Sequence, residues 1–124
     1  MSTSINLFRN DTHAVSVSAG QWIFRDGDLG DRMFGVIEGE IAIGKHGLLL
    51  ETIGPGGIIG EMAIIDHSPR SADAVARTDA RLAVIDEKRF EHLITEHPTF
   101  ALEVMRVMAD RLRKVTAERT ESDA

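Results

Sequence analysis

Residues 33–44 read MFGVIEGEIAIG, and this stretch decides the fold class. Apolar side chains recur at every second position on either side of its centre, at Phe34, Val36, Ile41 and Ile43. A period of two is typical of strands that bury one face. Residues 38–40, Glu-Gly-Glu, separate the two alternating runs and predict a turn between two strands.

Similar short apolar stretches extend in both directions from these strands, from about Ala14 to Ile85. They are separated by glycines and read VSVSAG, WIFRDGD, LLLETIGPGG and AVARTDARLAVID. Because no long helical pattern intervenes, a doubly wound α/β fold is disfavoured. Short strands at regular spacing with turn signals between them predict an antiparallel sandwich or barrel.

The pattern changes to helical spacing after Asp86, which can serve as the N-cap of a helix. Phe90 and Leu93 lie on one face of that helix. Pro98 should follow its end and suits the first turn of a second helix that runs to about Glu118. We therefore expect two C-terminal helices over residues 86–118.

The second helix carries an apolar stripe with a spacing of four, three, four and three residues. Such a stripe lies along one face of a helix. It either packs on the β domain or forms the seam of a homodimer. Its members are Ala101, Met105, Met108, Leu112 and Val115.

Composition narrows the class of protein. The 124 residues suit one domain that spans residues 1–124, with 43% hydrophobic and 27% charged residues. The chain has no cysteine, which excludes disulfides and thiolate metal sites. No apolar run is long enough to span a membrane and the N-terminal residues do not resemble a signal peptide, so we expect a cytoplasmic protein that does not contact a membrane.

Charge argues against a nucleic-acid partner. The formal net charge is −6, whereas nucleic-acid binding depends on Lys and Arg set against phosphates. Four cations in the last helix are interleaved with Asp110 and Glu118, which favours a solvated helix face. These cations are Arg106, Arg111, Arg113 and Lys114.

A second informative stretch, residues 54–76, reads GPGGIIGEMAIIDHSPRSADAVA. Gly60 frees the backbone to approach a ligand, directly before a helical turn whose first amides, at Glu61, Met62 and Ala63, can bind an anion such as a phosphate. Arg70 follows with a planar fork that suits two phosphate oxygens, and Ser71 adds a hydroxyl. Glu61, an acceptor, is expected to receive a ribose hydroxyl and to pair with Arg70 when the site is empty.

The segment GEMAIIDHSPRSADAVA resembles the phosphate-binding cassette of cyclic nucleotide-binding domains. Residues 20–43, GQWIFRDGDLGDRMFGVIEGEIAI, are similar to the opening strands of that family, with glycines in corresponding positions at Gly20, Gly27 and Gly39. The resemblance covers the chain from about Gly20 to Arg113.

This resemblance implies a mainly β fold with flanking helices, namely an antiparallel double-stranded β-helix or jelly-roll-like β-roll over residues 14–85, followed by the C-terminal helices. It implies a regulatory sensor whose ligand is cAMP, or as the second expectation cGMP, and whose helix from Pro98 onward moves when the ligand binds. The implied binding residues are Gly60, Glu61, Met62, Ala63, Arg70, Ser71 and Ala72.

Other classes of function find less support. We expect no enzyme, because the sequence has no serine elbow and no P-loop, and no metal or other cofactor, because the His-x-His pair of cupin-like sites is missing. The remaining alternative is a β-roll that no longer senses a nucleotide and serves dimerisation or docking of an effector protein.

Overall fold

A computed structural model describes the backbone of residues 14–123 and the side chains of residues 14–114. The strands are β1 (Val15–Val17), β2 (Trp22–Phe24), β3 (Arg32–Glu38), β4 (Ile41–Lys45), β5 (Leu48–Ile53), β6 (Ile58–Ile59), β7 (Asp73–Ala76) and β8 (Ala80–Asp86). The helices are α1 (Met62–Ile65), α2 (Glu87–Glu96) and α3 (Pro98–Asp123).

The strands form two four-stranded sheets in which every pair is antiparallel. One sheet has the order β1-β8-β3-β6 and the other has the order β2-β7-β4-β5. Because consecutive strands, apart from β4 and β5, lie in different sheets, the chain winds around a shared interior. The predicted mainly β fold, a jelly-roll-like β-roll with helices after it, is confirmed.

The turn predicted at residues 38–40 is confirmed, with β3 ending at Glu38 and β4 beginning at Ile41. The two strands do not pair with each other, however, because β3 pairs with β6 and β8 while β4 pairs with β5 and β7. Gly39 has a φ of +87°, a conformation that favours glycine. The turn therefore carries the chain from one sheet to the other.

Two apolar clusters fill the molecule, one on each face of the first sheet. Successive residues of a strand point to opposite faces, so Leu82 packs between the sheets while Ala83 faces the helices. Ile59 and Ile58 divide in the same way. The strands of this sheet are apolar on both faces because they separate the roll interior from α2 and α3.

The C-terminal helices begin where the sequence predicts. The Asp86 side chain caps α2 by accepting a hydrogen bond of 2.7 Å from the Arg89 N–H, and α3 begins at Pro98. The helix α3 continues to Asp123, beyond the predicted end near Glu118. No helix within residues 14–123 has both the length and the apolar character needed to cross a membrane.

The apolar stripe of α3 only partly packs on the roll. The face buried against the core carries Phe100 and Val104, with Met108 packed against the same cluster. Met105 is 57% exposed and Leu112 is 68% exposed. Of the two alternatives for the stripe, packing on the roll holds for Met108 but not for Met105 and Leu112. The reason is that the buried face of α3 is rotated around the helix axis relative to the stripe. Ala101 is half-buried, and the Val115 side chain lies outside the described residues.

Replacing Gly39 by alanine is expected to destabilise the roll by about 2 kcal/mol or more, since a left-handed conformation costs an L-residue roughly 1–2 kcal/mol and the new Cβ would overlap the backbone of Asp79 and Ala80. The free energy of unfolding from urea denaturation measures the loss. Gly54→Ala is the matched control, because Gly54 has no left-handed φ and no atom within 4 Å of the added Cβ. Equal losses in both variants would contradict this role of Gly39.

Candidate functional site

Arg70 is held at the centre of the cassette by its backbone and its side chain. Its N–H donates to the Asp28 carbonyl at 2.8 Å and its carbonyl accepts from the Gly27 N–H at 2.7 Å. Its Nη1 donates to the Gly60 carbonyl at 3.1 Å and its Nη2 to the Arg32 carbonyl at 2.8 Å. These bonds join the cassette to the turn before β3.

A slot of small and aromatic residues surrounds the guanidinium. A Cβ atom added at Gly30 or at Gly60 would lie 2.5 Å from a guanidinium nitrogen, so both glycines leave room for the side chain. The guanidinium carbon lies 4.3 Å from the ring centre of Phe24, within the range of a cation–π contact. Phe24 in turn stacks on Phe34, with ring centres 6.4 Å apart. The slot therefore fixes the charge in one position.

The charge of Arg70 lies in a buried position, since the residue is 8% exposed. Burial lowers the pKa of its guanidinium, while the nearby carboxylates of Asp31, Asp28 and Glu61 act in the opposite direction. A guanidinium has five N–H groups and stays protonated in proteins. Its two side-chain hydrogen bonds leave three N–H groups that nothing in the described part of the chain accepts. The site can therefore bind an anion.

Glu61 is the second buried charge of the cassette, with 3% of the residue exposed. Its Oε1 accepts a hydrogen bond from Nη1 of Arg111 in α3. Its Oε2 is shielded from solvent and has no hydrogen-bond partner in the described structure. A buried acceptor without a donor costs about 1–3 kcal/mol. This oxygen can therefore accept a hydrogen bond from a ligand.

The expected pairing of Glu61 with Arg70 is wrong. The partner of Glu61 is Arg111, which also donates to the Ile58 carbonyl at 2.9 Å. Arg70 instead donates to two backbone carbonyls. The prediction of a solvated helix face is likewise wrong for Arg111, whose side chain is 26% exposed.

The other predicted residues surround these two charges. Ala63 is buried, and its N–H donates to the Gly60 carbonyl at 3.3 Å, so this amide already has a partner within the turn. Met62 is 40% exposed. Ser71 is exposed and Ala72 is half-buried, directly after Arg70. The structure thus brings Gly60, Glu61 and Arg70 together, while Ser71 is exposed beside Arg70 in the sequence.

Three residues of the site were not found from the sequence. Phe24 and Gly30 belong to the slot but lie more than 35 residues before Arg70, and neither has a local pattern that distinguishes it from a strand or turn residue. Arg111 lies 50 residues after Glu61 in a mixed-charge helix. Only its place in line with the buried face of α3, two turns after Val104, could have indicated it. No group of three or more metal-ligating side chains occurs among the described residues.

Comparisons with known proteins give a match at the level of the family. The family model "Cyclic nucleotide-binding domain" matches residues 14–97. The chain is 38% identical over 87 residues to the cGMP-dependent protein kinase egl-4 of Caenorhabditis elegans, covering 70% of this chain and 11% of that protein. It is 31% identical over 105 residues to a CRP-like cAMP-activated global transcriptional regulator of Mycobacterium tuberculosis, covering 81% and 47%.

Solved structures give the same likeness. The catabolite activator protein of Thermus thermophilus superposes with a TM-score of 0.76 at 32% identity, over 86% of this chain and 52% of that one. The chain thus spans about half or less of the length of the curated relatives named above.

Gly30→Ala is expected to displace the Arg70 guanidinium from its slot and to destabilise the fold by about 1–3 kcal/mol, because the added methyl group overlaps the guanidinium and the carbonyls of Gly60 and Arg32 lose their donor. The Nε–Hε signal of Arg70 in a ¹H–¹⁵N NMR spectrum reports the displacement, since the ring of Phe24 shifts it in the native position. Gly54→Ala should leave this signal in place. An unchanged Arg70 signal in Gly30→Ala would contradict the slot.

Proposed function

The chain belongs to the cyclic nucleotide-binding domain family, and on that premise we propose that it is a regulatory module in which Arg70 binds the cyclic phosphate and Glu61 the ribose 2′-hydroxyl of cAMP or cGMP. The proposal depends on two buried groups next to Gly60. One is the guanidinium of Arg70, and the other is Oε2 of Glu61, an acceptor without a hydrogen-bond partner in the described structure. A cyclic nucleotide presents one anionic group and one hydroxyl, which match these two groups in chemistry.

Arg70 supports the phosphate half of the proposal. A buried guanidinium interacts with an anion more strongly than an exposed one because little water screens the charge. Its remaining N–H groups suit the two exocyclic oxygens of a cyclic phosphate. Ser71 and the backbone amides of Met62, Ala63 and Ala72 are proposed as secondary contacts. For Ala63, the present bond to Gly60 would have to lengthen as the ligand binds.

Glu61 supports the ribose half. A carboxylate would repel the phosphate, so its place beside a buried arginine fits a contact to a different part of the ligand. The unpartnered Oε2 matches the 2′-hydroxyl, which is a hydrogen-bond donor. Since this atom is shielded from solvent, the cassette must open locally to admit a ligand.

The preferred base is proposed as adenine first and guanine second. The named relatives include both a cGMP-dependent kinase and a cAMP-activated regulator. In the family, a hydroxyl at the position of Ser71 is compatible with guanine as well as adenine. Ser71 is exposed directly after Arg70, so a base could reach its hydroxyl.

Isothermal titration with cAMP, cGMP and the linear monophosphate AMP tests the proposal. We expect saturable binding of a cyclic form and a loss of at least about 30-fold in affinity for Arg70→Ala, because truncating one partner of a buried charge pair typically costs 2–5 kcal/mol. The affinity of Arg70→Lys should lie between those of the parent chain and Arg70→Ala, since lysine keeps the charge but lacks the planar fork of N–H groups.

Arg77→Ala is the matched control, because Arg77 is an exposed arginine seven residues after Arg70, directly after β7. Its affinity should equal that of the parent chain. Melting temperatures of the free variants show whether each remains folded. If the parent chain binds no cyclic nucleotide and its melting temperature does not rise with ligand, the alternative of a docking or dimerisation module replaces the sensor.

We further propose that a second copy of the chain covers the exposed stripe of α3. Met105 and Leu112 are two turns apart on one face and both are more than half exposed. The four-three spacing of the stripe suits two such helices packed side by side. Ala101 lies on the same stripe and its small side chain allows a close approach.

Met105→Gln combined with Leu112→Gln is expected to convert a dimer to a monomer in sedimentation velocity, because the pair supplies apolar surface to the seam. Leu29→Gln makes the same kind of change at a leucine that is 86% exposed in a loop, and it should leave the dimer intact. A monomeric parent chain, or a double variant that still sediments as a dimer, would rule out this seam.

A further inference from the structure

Arg111 ties the last helix to the cassette through three groups. Its Nη1 donates to Oε1 of Glu61 and its Nη2 to the Ile58 carbonyl at 2.9 Å. Its Nε lies 3.6 Å from a carboxylate oxygen of Glu51 in β5. The guanidinium therefore bridges β5, β6 and the start of α1, and no other cation among the described residues contacts Glu61.

The two carboxylate oxygens of Glu61 have different environments. Arg111 occupies Oε1, while Oε2 is shielded from solvent and has no partner in the described structure. A ligand hydroxyl can therefore bind Oε2 without displacing Arg111. The hydrogen bond to the Ile58 carbonyl and the ion pair with Glu51 fix the guanidinium independently of the ligand.

Resting on the proposed function, we propose that Arg111 is a positioning residue for the ribose contact. It holds Glu61 through Oε1 so that Oε2 is presented to the 2′-hydroxyl, and it determines how strongly the site discriminates ribose from deoxyribose. Without Arg111 the buried carboxylate would lack its cation and would turn toward other donors or water. Arg111 itself does not touch the ligand.

This arrangement makes the position of α3 and ligand binding mutually dependent. Docking of α3 places Arg111 on Glu61, and a hydroxyl on Oε2 fixes the same carboxylate in that orientation. The coupling free energy between two such events is reciprocal. A ligand with the 2′-hydroxyl therefore stabilises the docked position of α3 by the same free energy by which docked α3 strengthens binding of that ligand. A ligand without the 2′-hydroxyl does not contact Oε2 of Glu61, so it does not stabilise docked α3 through this carboxylate.

Titration of the full chain with cAMP and with 2′-deoxy-cAMP tests the inference. Arg111→Gln should lose about tenfold in affinity for cAMP, equivalent to one such contact, and less than threefold for 2′-deoxy-cAMP. Arg111→Lys should recover part of the discrimination, because it restores a cation near Oε1. Arg113→Gln removes the same charge from an exposed position two residues further along α3 and should change neither affinity.

Each other outcome is decisive. Equal losses for both ligands would make Arg111 a structural residue only, and a gain in affinity for cAMP would make it a competitor of the ligand, so either overturns the inference. Should Arg111→Gln be unfolded at the assay temperature by circular dichroism, the Arg111→Lys variant decides by the same two affinities. A parent chain that binds neither nucleotide would overturn the proposed function and this inference together, whereas the outcomes above overturn the inference alone.

Discussion

A guanidinium that is buried in a β-roll needs acceptors for its N–H groups and a space of its own shape. The structure of the cassette depends on meeting both requirements for Arg70. Two backbone carbonyls, of Gly60 and Arg32, accept from Arg70. The same interaction explains why residues 30 and 60 are glycines, since a side chain at either would overlap the guanidinium. The connection from β2 to β3 and the connection from β6 to α1 are thus shaped by one side chain.

The strand pattern could be predicted because alternation depends only on neighbouring residues. The turn at Gly39 and the N-cap at Asp86 are also local signals, and both are confirmed. Alternation shows which side chains share a face, but not which strand lies beside another. For this reason the sequence does not reveal that β3 and β4 belong to different sheets, a separation that arises from pairing with β8 and β7, far away along the chain.

The candidate site shows the same division between local and distant contacts. Gly60, Glu61 and Arg70 lie within eleven residues, so their chemistry could be recognised together. The partner of Glu61 could not, because Arg111 belongs to a helix where four cations mix with acids and only the packing of that helix brings one cation to the cassette. The mixed-charge pattern predicts solvent exposure, and this is right for Lys114. It is wrong for Arg111, whose side chain is half-buried against Glu61.

Two faces of α3 give the helix three different roles. One face buries Phe100 and Val104 against the roll, which fixes the first turns of the helix. Two turns after Val104 on the same face, Arg111 reaches the cassette, while Met105 lies exposed on another face. Since these faces belong to one helix, a rotation that breaks the Arg111–Glu61 contact also reorients the exposed stripe. A ligand at the proposed site could therefore act on a partner that covers this stripe without contacting that partner, because the helix transmits the change.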